Sequence, residues 1–245
     1  TPGDAVRIDA ITDDGQYHAW TEINVPQRPF EIENVDTVTV PLAQSGYTTE
    51  YLRYRITIND RPNETNYYRI VIDKQTTLWG YNHEEGGDDY IYWTKHSYNF
   101  IGREDVVLTD GQPTTGDDED NGLFDTAKNI YGVFDDTRFR NTSYTMTVYN
   151  NTKIETGSDS GYFSGMDVII RLMSITETEY YYLKALNLVD SDAYDETINE
   201  PIKYPSNVHG GTGMVGISTE VTQTIHIISS SHSKGNLAPP VHVYQ

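Results

Sequence analysis

Leu52-Arg53-Tyr54-Arg55-Ile56-Thr57-Ile58-Asn59 is the stretch on which the fold turns. Apolar Leu52, Tyr54, Ile56 and Ile58 alternate with polar Arg53, Arg55, Thr57 and Asn59. Successive side chains of a strand point to opposite faces, so this period of two lays the apolar groups on one side and predicts a half-buried β-strand. The following Asp60-Arg61-Pro62-Asn63-Glu64-Thr65 has turn chemistry, and Tyr68, Ile70 and Ile72 resume the alternation. An antiparallel hairpin of these two strands is the expectation.

Toward the N-terminus, Ala5 to Ala10 also alternates, Asp13-Asp14-Gly15 turns the chain, and Tyr17 to Val25 returns before Pro26. A lone hairpin is marginal in water, so residues 1–27 are expected to be the last strands of a truncated N-terminal β-sandwich domain. Residues 28–245 are then a C-terminal β-rich domain, entered through a linker that becomes a strand along Ile32, Val35, Val38 and Val40. Toward the C-terminus, residues 76–122 are rich in Gly, Asp, Asn and Tyr and read as long loops. Strands resume at Ile130 to Phe134 and Tyr144 to Tyr149, and Val168-Ile169-Ile170-Arg171-Leu172 reads as a strand buried on both faces. Thr176-Glu177-Thr178-Glu179 fits a capping box and opens one amphipathic helix, near 177–188, with Tyr180, Leu183 and Leu186 as its stripe. A last strand pair is expected at Val215 to Ser218 and Thr224 to Ile228, with a loosely held tail from Ser229 to Gln245.

Composition agrees with a mostly β fold, an antiparallel sandwich or barrel-like domain: there are 20 tyrosines and only four methionines in 245 residues, and aromatic and branched side chains suit a pleated surface. The net charge of −20 repels phosphate backbones, which argues against nucleic acid as a partner. The acidic residues read as loop solvation. Cysteine is absent, so disulfides, thiolate metal sites and a cysteine nucleophile are excluded. No stretch approaches the roughly 20 apolar residues of a membrane span, and the first residues resemble no signal peptide. The chain is expected to be a soluble piece, already processed or truncated.

Motifs for chemistry are sparse. His209-Gly210-Gly211 resembles the amide loop that stabilises an oxyanion in some esterases, yet no Gly-x-Ser-x-Gly elbow accompanies it, so the glycines read as a turn. The seven histidines show no HExxH pattern, and no metal or cofactor is implied. His83-Glu84-Glu85 and His96 flank an aromatic segment on which they can converge. Asp117-Asp118-Glu119-Asp120-Asn121-Gly122 concentrates oxygen ligands, but Lys128 stands where an EF-hand needs a bidentate Glu. An exposed acidic loop is the reading there, with an irregular calcium site as its alternative. Carboxylate pairs for glycoside hydrolysis are open in principle, since only their separation is diagnostic. Asp36-Thr37-Val38 and Asp125-Thr126-Ala127 resemble an O-glycosylation pattern of Bacteroidota envelope proteins.

The order of several motifs carries a family resemblance. Asn66-Tyr67-Tyr68-Arg69-Ile70, Ile175-Thr176 through Tyr180-Tyr181-Tyr182-Leu183 to Leu186, Asn199-Glu200-Pro201-Ile202 and Ser206-Asn207-Val208-His209-Gly210-Gly211-Thr212-Gly213-Met214-Val215-Gly216 resemble the Bacteroidota family catalogued as domain of unknown function 4249. The resemblance implies an outer-membrane, surface-exposed lipoprotein with an immunoglobulin-like or carrier-like first β domain and a larger β-rich second one, encoded beside TonB-dependent transporters. It implies a transporter as partner, a lipid anchor that this chain lacks, and no enzymatic activity.

The aromatic cluster Trp79, Tyr81, Tyr90, Tyr92, Trp93 and Tyr98 is the candidate binding site, because exposed rings beside Asp, Asn and His stack on sugars or anchor a protein partner. The expectation is therefore a non-catalytic protein that binds through ring-bearing loops. Its partner is a transporter, or alternatively a glycan or peptide.

Overall fold

The alternating stretch lies at the middle of a sheet. In the computed structural model, which describes residues 1–44, 47–82, 89–113, 129–151, 162–190 and 202–227, strand β3 (Asn34–Gln44), β4 (Tyr47–Asn59) and β8 (Ser143–Asn151) form an antiparallel sheet in the order β3-β4-β8. Tyr54, Ile56 and Ile58 are sealed on one face, while Arg55 between them is exposed. Their partners across the ladder are Val148, Met146 and Tyr144, so apolar side chains meet cross-strand over the whole length of this face. On β3 the register places Val35 and Thr37 opposite Ile56 and Tyr54, which turns Val38 to the other face, where it is exposed. At the far end the same sheet buries its opposite face, where Leu42, Tyr51 and Tyr149 cluster with Val40 and Ile101.

Strand β1 (Ala5–Ile11) pairs with β2 (His18–Asn24), and the turn expected at Asp13-Asp14-Gly15 closes through Gly15 N–H to Thr12 C=O at 2.8 Å. A further sheet has the order β10-β9-β5-β6, built from β5 (Tyr67–Asn82), β6 (Asp89–Ser97), β9 (Tyr162–Ser174) and β10 (Thr219–Ile227), with the short β7 (Val133–Asp135) also pairing β5. The fold is thus mostly β with antiparallel pairings and one helix, and no barrel closes among the described residues.

Helix α1 (Glu177–Asp190) begins where the capping signal places it. The Thr176 hydroxyl accepts from Glu179 N–H at 3.2 Å, which satisfies one orphan amide of the first turn. The Glu179 carboxylate does not return to the cap. It is buried beside Gly216, where an added Cβ would stand 2.8 Å from Oε2, and burial raises its pKa. Tyr180, Leu183 and Asn187 form the buried side of the helix, while Leu186 is only partly buried.

Four expectations are corrected. The strands either side of Asp60 to Thr65 are not a hairpin: β4 pairs with β3 and β8, and β5 belongs to the other sheet. Alternation fixes which face a strand buries and leaves its partner open. The connection is held by buried Asp60, which accepts from Asn141 N–H at 2.8 Å, from Asn66 Nδ2 at 3.2 Å and from Tyr68 O–H at 3.2 Å. Phe139 then links the two sheets, its ring 6.4 Å from that of Tyr68 on β5 and 5.4 Å from that of Tyr144 on β8. Residues 76–97 are strand, not loop, up to Asn82 and again from Asp89. Val168, Ile170 and Leu172 are buried while Ile169 and Arg171 are only partly so, which makes β9 central in its sheet but sealed on one face. Residues 215–218 form no strand, and Thr219–Ile227 is a single strand instead of half of a pair.

The chain divides into two compact units: one of residues 1–71, 99–152 and 170–223, the other of residues 72–98, 153–169 and 224–245. Strands β5, β9 and β10 each contribute to both. The first 27 residues fall in the larger unit, where the β1–β2 hairpin is tied down by an isolated antiparallel bridge between Trp20 and His209 and by the Thr21 hydroxyl donating to Asn207 C=O at 2.7 Å. The tail after Ile227 and the acidic stretch Asp117 to Gly122 lie outside the described residues.

Candidate functional site

The ring-bearing segment is a β-ribbon of the smaller unit. Its register pairs Lys74 with Ser97, Gln75 with His96, Thr76 with Lys95, Leu78 with Trp93, Trp79 with Tyr92 and Tyr81 with Tyr90. Directly paired residues share a face, so the period of two sorts the aromatic cluster onto two sides. Trp93 lies on the side of Leu78 and Gly80, and Tyr92 lies on the other with Trp79, Thr94 and His96. The sequence gives no warning of this split, because it depends on register.

Burial separates the residues further. Trp79 is sealed at 4% exposure, while Tyr92 and Tyr98 are half-exposed at 50% and 58%. Trp93 is half-buried, its ring against Gly80, where an added Cβ would come within 3.1 Å of Cη2. Its indole N–H has no hydrogen-bond partner among the described residues. Tyr81 and Tyr90 are paired through their backbones, but their side chains lie outside the described residues, as do His83, Glu84 and Glu85. Of the six rings in the expected site, Tyr92 and Tyr98 are therefore the two shown to be accessible.

Asp73, which no local motif singles out, is the residue that organises this face. Its carboxylate is buried, accepts from Gln75 Nε2 at 2.7 Å, and lies 3.0 Å from Nδ1 of His96 across the ribbon. The imidazole is 44% exposed and lies parallel to the Tyr98 ring, 6.1 Å between centroids and 20° between planes. A buried carboxylate thus fixes the orientation of a surface histidine beside an exposed tyrosine. The signal available in sequence was an acidic residue interrupting the apolar run Ile70, Val71, Ile72 at a position that must be strand. A cavity of about 180 Å³ is walled mainly by Lys74, Thr76, Lys95 and Ser97, which the register places on the face opposite the His96 ring. That is below the roughly 300–1,000 Å³ of drug-sized ligand sites.

The other motifs are structural. His209 stacks on Trp20 at 4.2 Å, and its N–H and C=O are both spent on Trp20, at 2.8 and 2.9 Å. Gly210 has φ +75° and lies so close to the hairpin that a Cβ would stand 2.3 Å from His18 O, so this position needs glycine. The Arg7 guanidinium covers the opposite side of Trp20 at 4.3 Å and binds Asp9, which also accepts from His18. Arg7 first, and then His18, holds the Asp9 carboxyl down at about 2. The Thr37 hydroxyl of Asp36-Thr37-Val38 is buried in β3, which makes it a poor acceptor for a glycan in the folded chain. No group of three or more His, Cys, Asp or Glu side chains able to hold a metal ion occurs among the described residues.

No helix of the described residues is long and apolar enough to cross a membrane. A search of curated proteins finds no match to this sequence. The family model described as Domain of unknown function (DUF4249) matches residues 1–224, nearly the whole chain and all of the sheets and the helix bar the last residues of β10. On that match the chain belongs to the DUF4249 family.

Proposed function

We propose that this chain acts by binding and not by catalysis, as the surface-exposed part of an outer-membrane lipoprotein that assists a TonB-dependent transporter in nutrient uptake. The observation that carries the reading is the ribbon β5–β6. Strand β6, at the end of its sheet order, presents exposed Tyr92, Thr94 and His96, and exposed Tyr98 follows just beyond its last residue. Half-exposed aromatic rings on a regular strand are rigid anchors that lose little entropy when a partner covers them. The membership of the family supports the envelope setting and the transporter partner through the resemblance set out above.

The test is co-purification. The full-length lipoprotein, tagged and expressed in its own host, is extracted from membranes with the transporter encoded beside it. The double variant Tyr92→Ala with Tyr98→Ala is expected to lose most of that transporter while keeping its expression level and its exposure to protease added outside the cell. Undiminished co-purification by the double variant rejects the ribbon as the binding face.

A further inference from the structure

The environment of His96 defines what its exposed edge can bind. An ionised carboxylate only accepts, so the 3.0 Å contact with Asp73 requires the proton on Nδ1. In the neutral ring Nε2 then carries a lone pair and is a hydrogen-bond acceptor. Beside it stands the parallel ring of Tyr98. An acceptor nitrogen and an apolar ring face side by side are the complement of a molecule with O–H donors on one edge and C–H groups on its face. The net charge of −20 disfavours anions. A peptide adding to the edge of β6 would use backbone groups and leave the Asp73–His96 pair without a purpose.

We infer that the β5–β6 ribbon holds a neutral saccharide, one sugar ring lying against Tyr98 while a sugar hydroxyl donates to Nε2 of His96. Asp73 is the positioning residue that fixes the acceptor tautomer. This ligand class rests on the ribbon being the binding face, and it names the cargo at that face.

The experiment uses the 245-residue chain titrated calorimetrically with neutral tetrasaccharides of glucose, mannose, xylose and galactose. Binding of at least one is expected. Tyr98→Ala should weaken it roughly tenfold, the scale of one ring contact. His96→Phe, which keeps a ring and removes the acceptor, should weaken it about fivefold, whereas His96→Gln, whose amide oxygen accepts, should retain more of the affinity. Asp73→Asn can donate to the imidazole and move its proton to Nε2, so it should weaken binding like His96→Phe. A long-range ¹⁵N–¹H spectrum of the unmodified chain should show the Nδ1–H tautomer of His96, a readout that needs no sugar. Absence of binding to all four sugars, an Nε2–H tautomer, or full affinity in His96→Phe overturns the inference. If the ring variants still lose the transporter while no sugar binds, the ligand class fails and the binding role stands. If sugar binds and the transporter is captured regardless of the rings, the saccharide stands and the transporter role of the ribbon fails.

Discussion

Two buried aspartates, Asp105 in the larger unit and Asp73 in the smaller, have the same charge and nearly the same exposure, at 3% and 2%, yet they serve different ends. Asp105 is consumed by the fold. It accepts from the backbone amides of Val107, Leu108 and Thr147 at 2.8 to 3.1 Å and from the Tyr144 hydroxyl at 3.0 Å. Asp136 behaves likewise, accepting from Asn66 N–H at 2.8 Å and from Arg140 at 3.0 Å. Asp73 instead accepts from two side chains, Gln75 and the half-exposed His96. A carboxylate that satisfies buried amides holds the chain together, and one that aims a surface imidazole prepares it for something outside the chain.

The largest effect should come from breaking the first kind. Asp105→Ala leaves three amides and a hydroxyl without their acceptor and should lower unfolding stability by about 3–5 kcal/mol, read as a shift in denaturant midpoint. A loss under about 1 kcal/mol would show that the two aspartates are not different in kind. Asn187→Ala probes a second internal network. The Asn187 side chain accepts from Tyr131 N–H at 3.0 Å and donates to Asn129 at 2.9 Å, so its removal should cost about 1–3 kcal/mol. Thr176→Ala, which deletes the helix cap, should cost about 1 kcal/mol. Tyr92→Ala and Tyr98→Ala should stay within roughly 0.5 kcal/mol of the parent, because surface substitutions away from packed features seldom do more. A larger loss would move those rings from the binding face to the scaffold.

The hairpin at the start of the chain offers a comparison by pH. The folded Asp9 carboxyl lies at about 2, below the ordinary value of an aspartate. Its contribution is therefore fully present above the unfolded value and is lost as pH falls through about 2. Fluorescence of Trp20, held between Arg7 and His209, should report local loosening in that window, and Asp9→Asn should abolish the dependence. An unchanged profile in Asp9→Asn would remove Asp9 as its source.

The legible part of the molecule is the part whose cause is local. Alternation along Leu52 to Ile58 and Ala5 to Ala10, the Asp13-Asp14-Gly15 turn and the Thr176 cap each express the conformational preference of a few neighbouring residues, and each is found where the sequence places it. The site was half legible. The sequence marks the aromatic segment, but it reads Thr76 onward as loop because Gly, Asn and Asp between the rings imitate turn chemistry, while the strand is held by its ladder.

What the sequence determined by itself is a mostly β chain with one helix, a family membership and a set of rings and acids without assigned roles. Tertiary structure alone decided that β4 and β5 part company, that Trp79 is sealed while Tyr92 and Tyr98 are open, and that Asp73 meets His96 twenty-three positions away. The physical reason is that a strand's pattern specifies which way its side chains point, whereas pairing register and burial depend on which distant strand supplies the other half of each hydrogen bond.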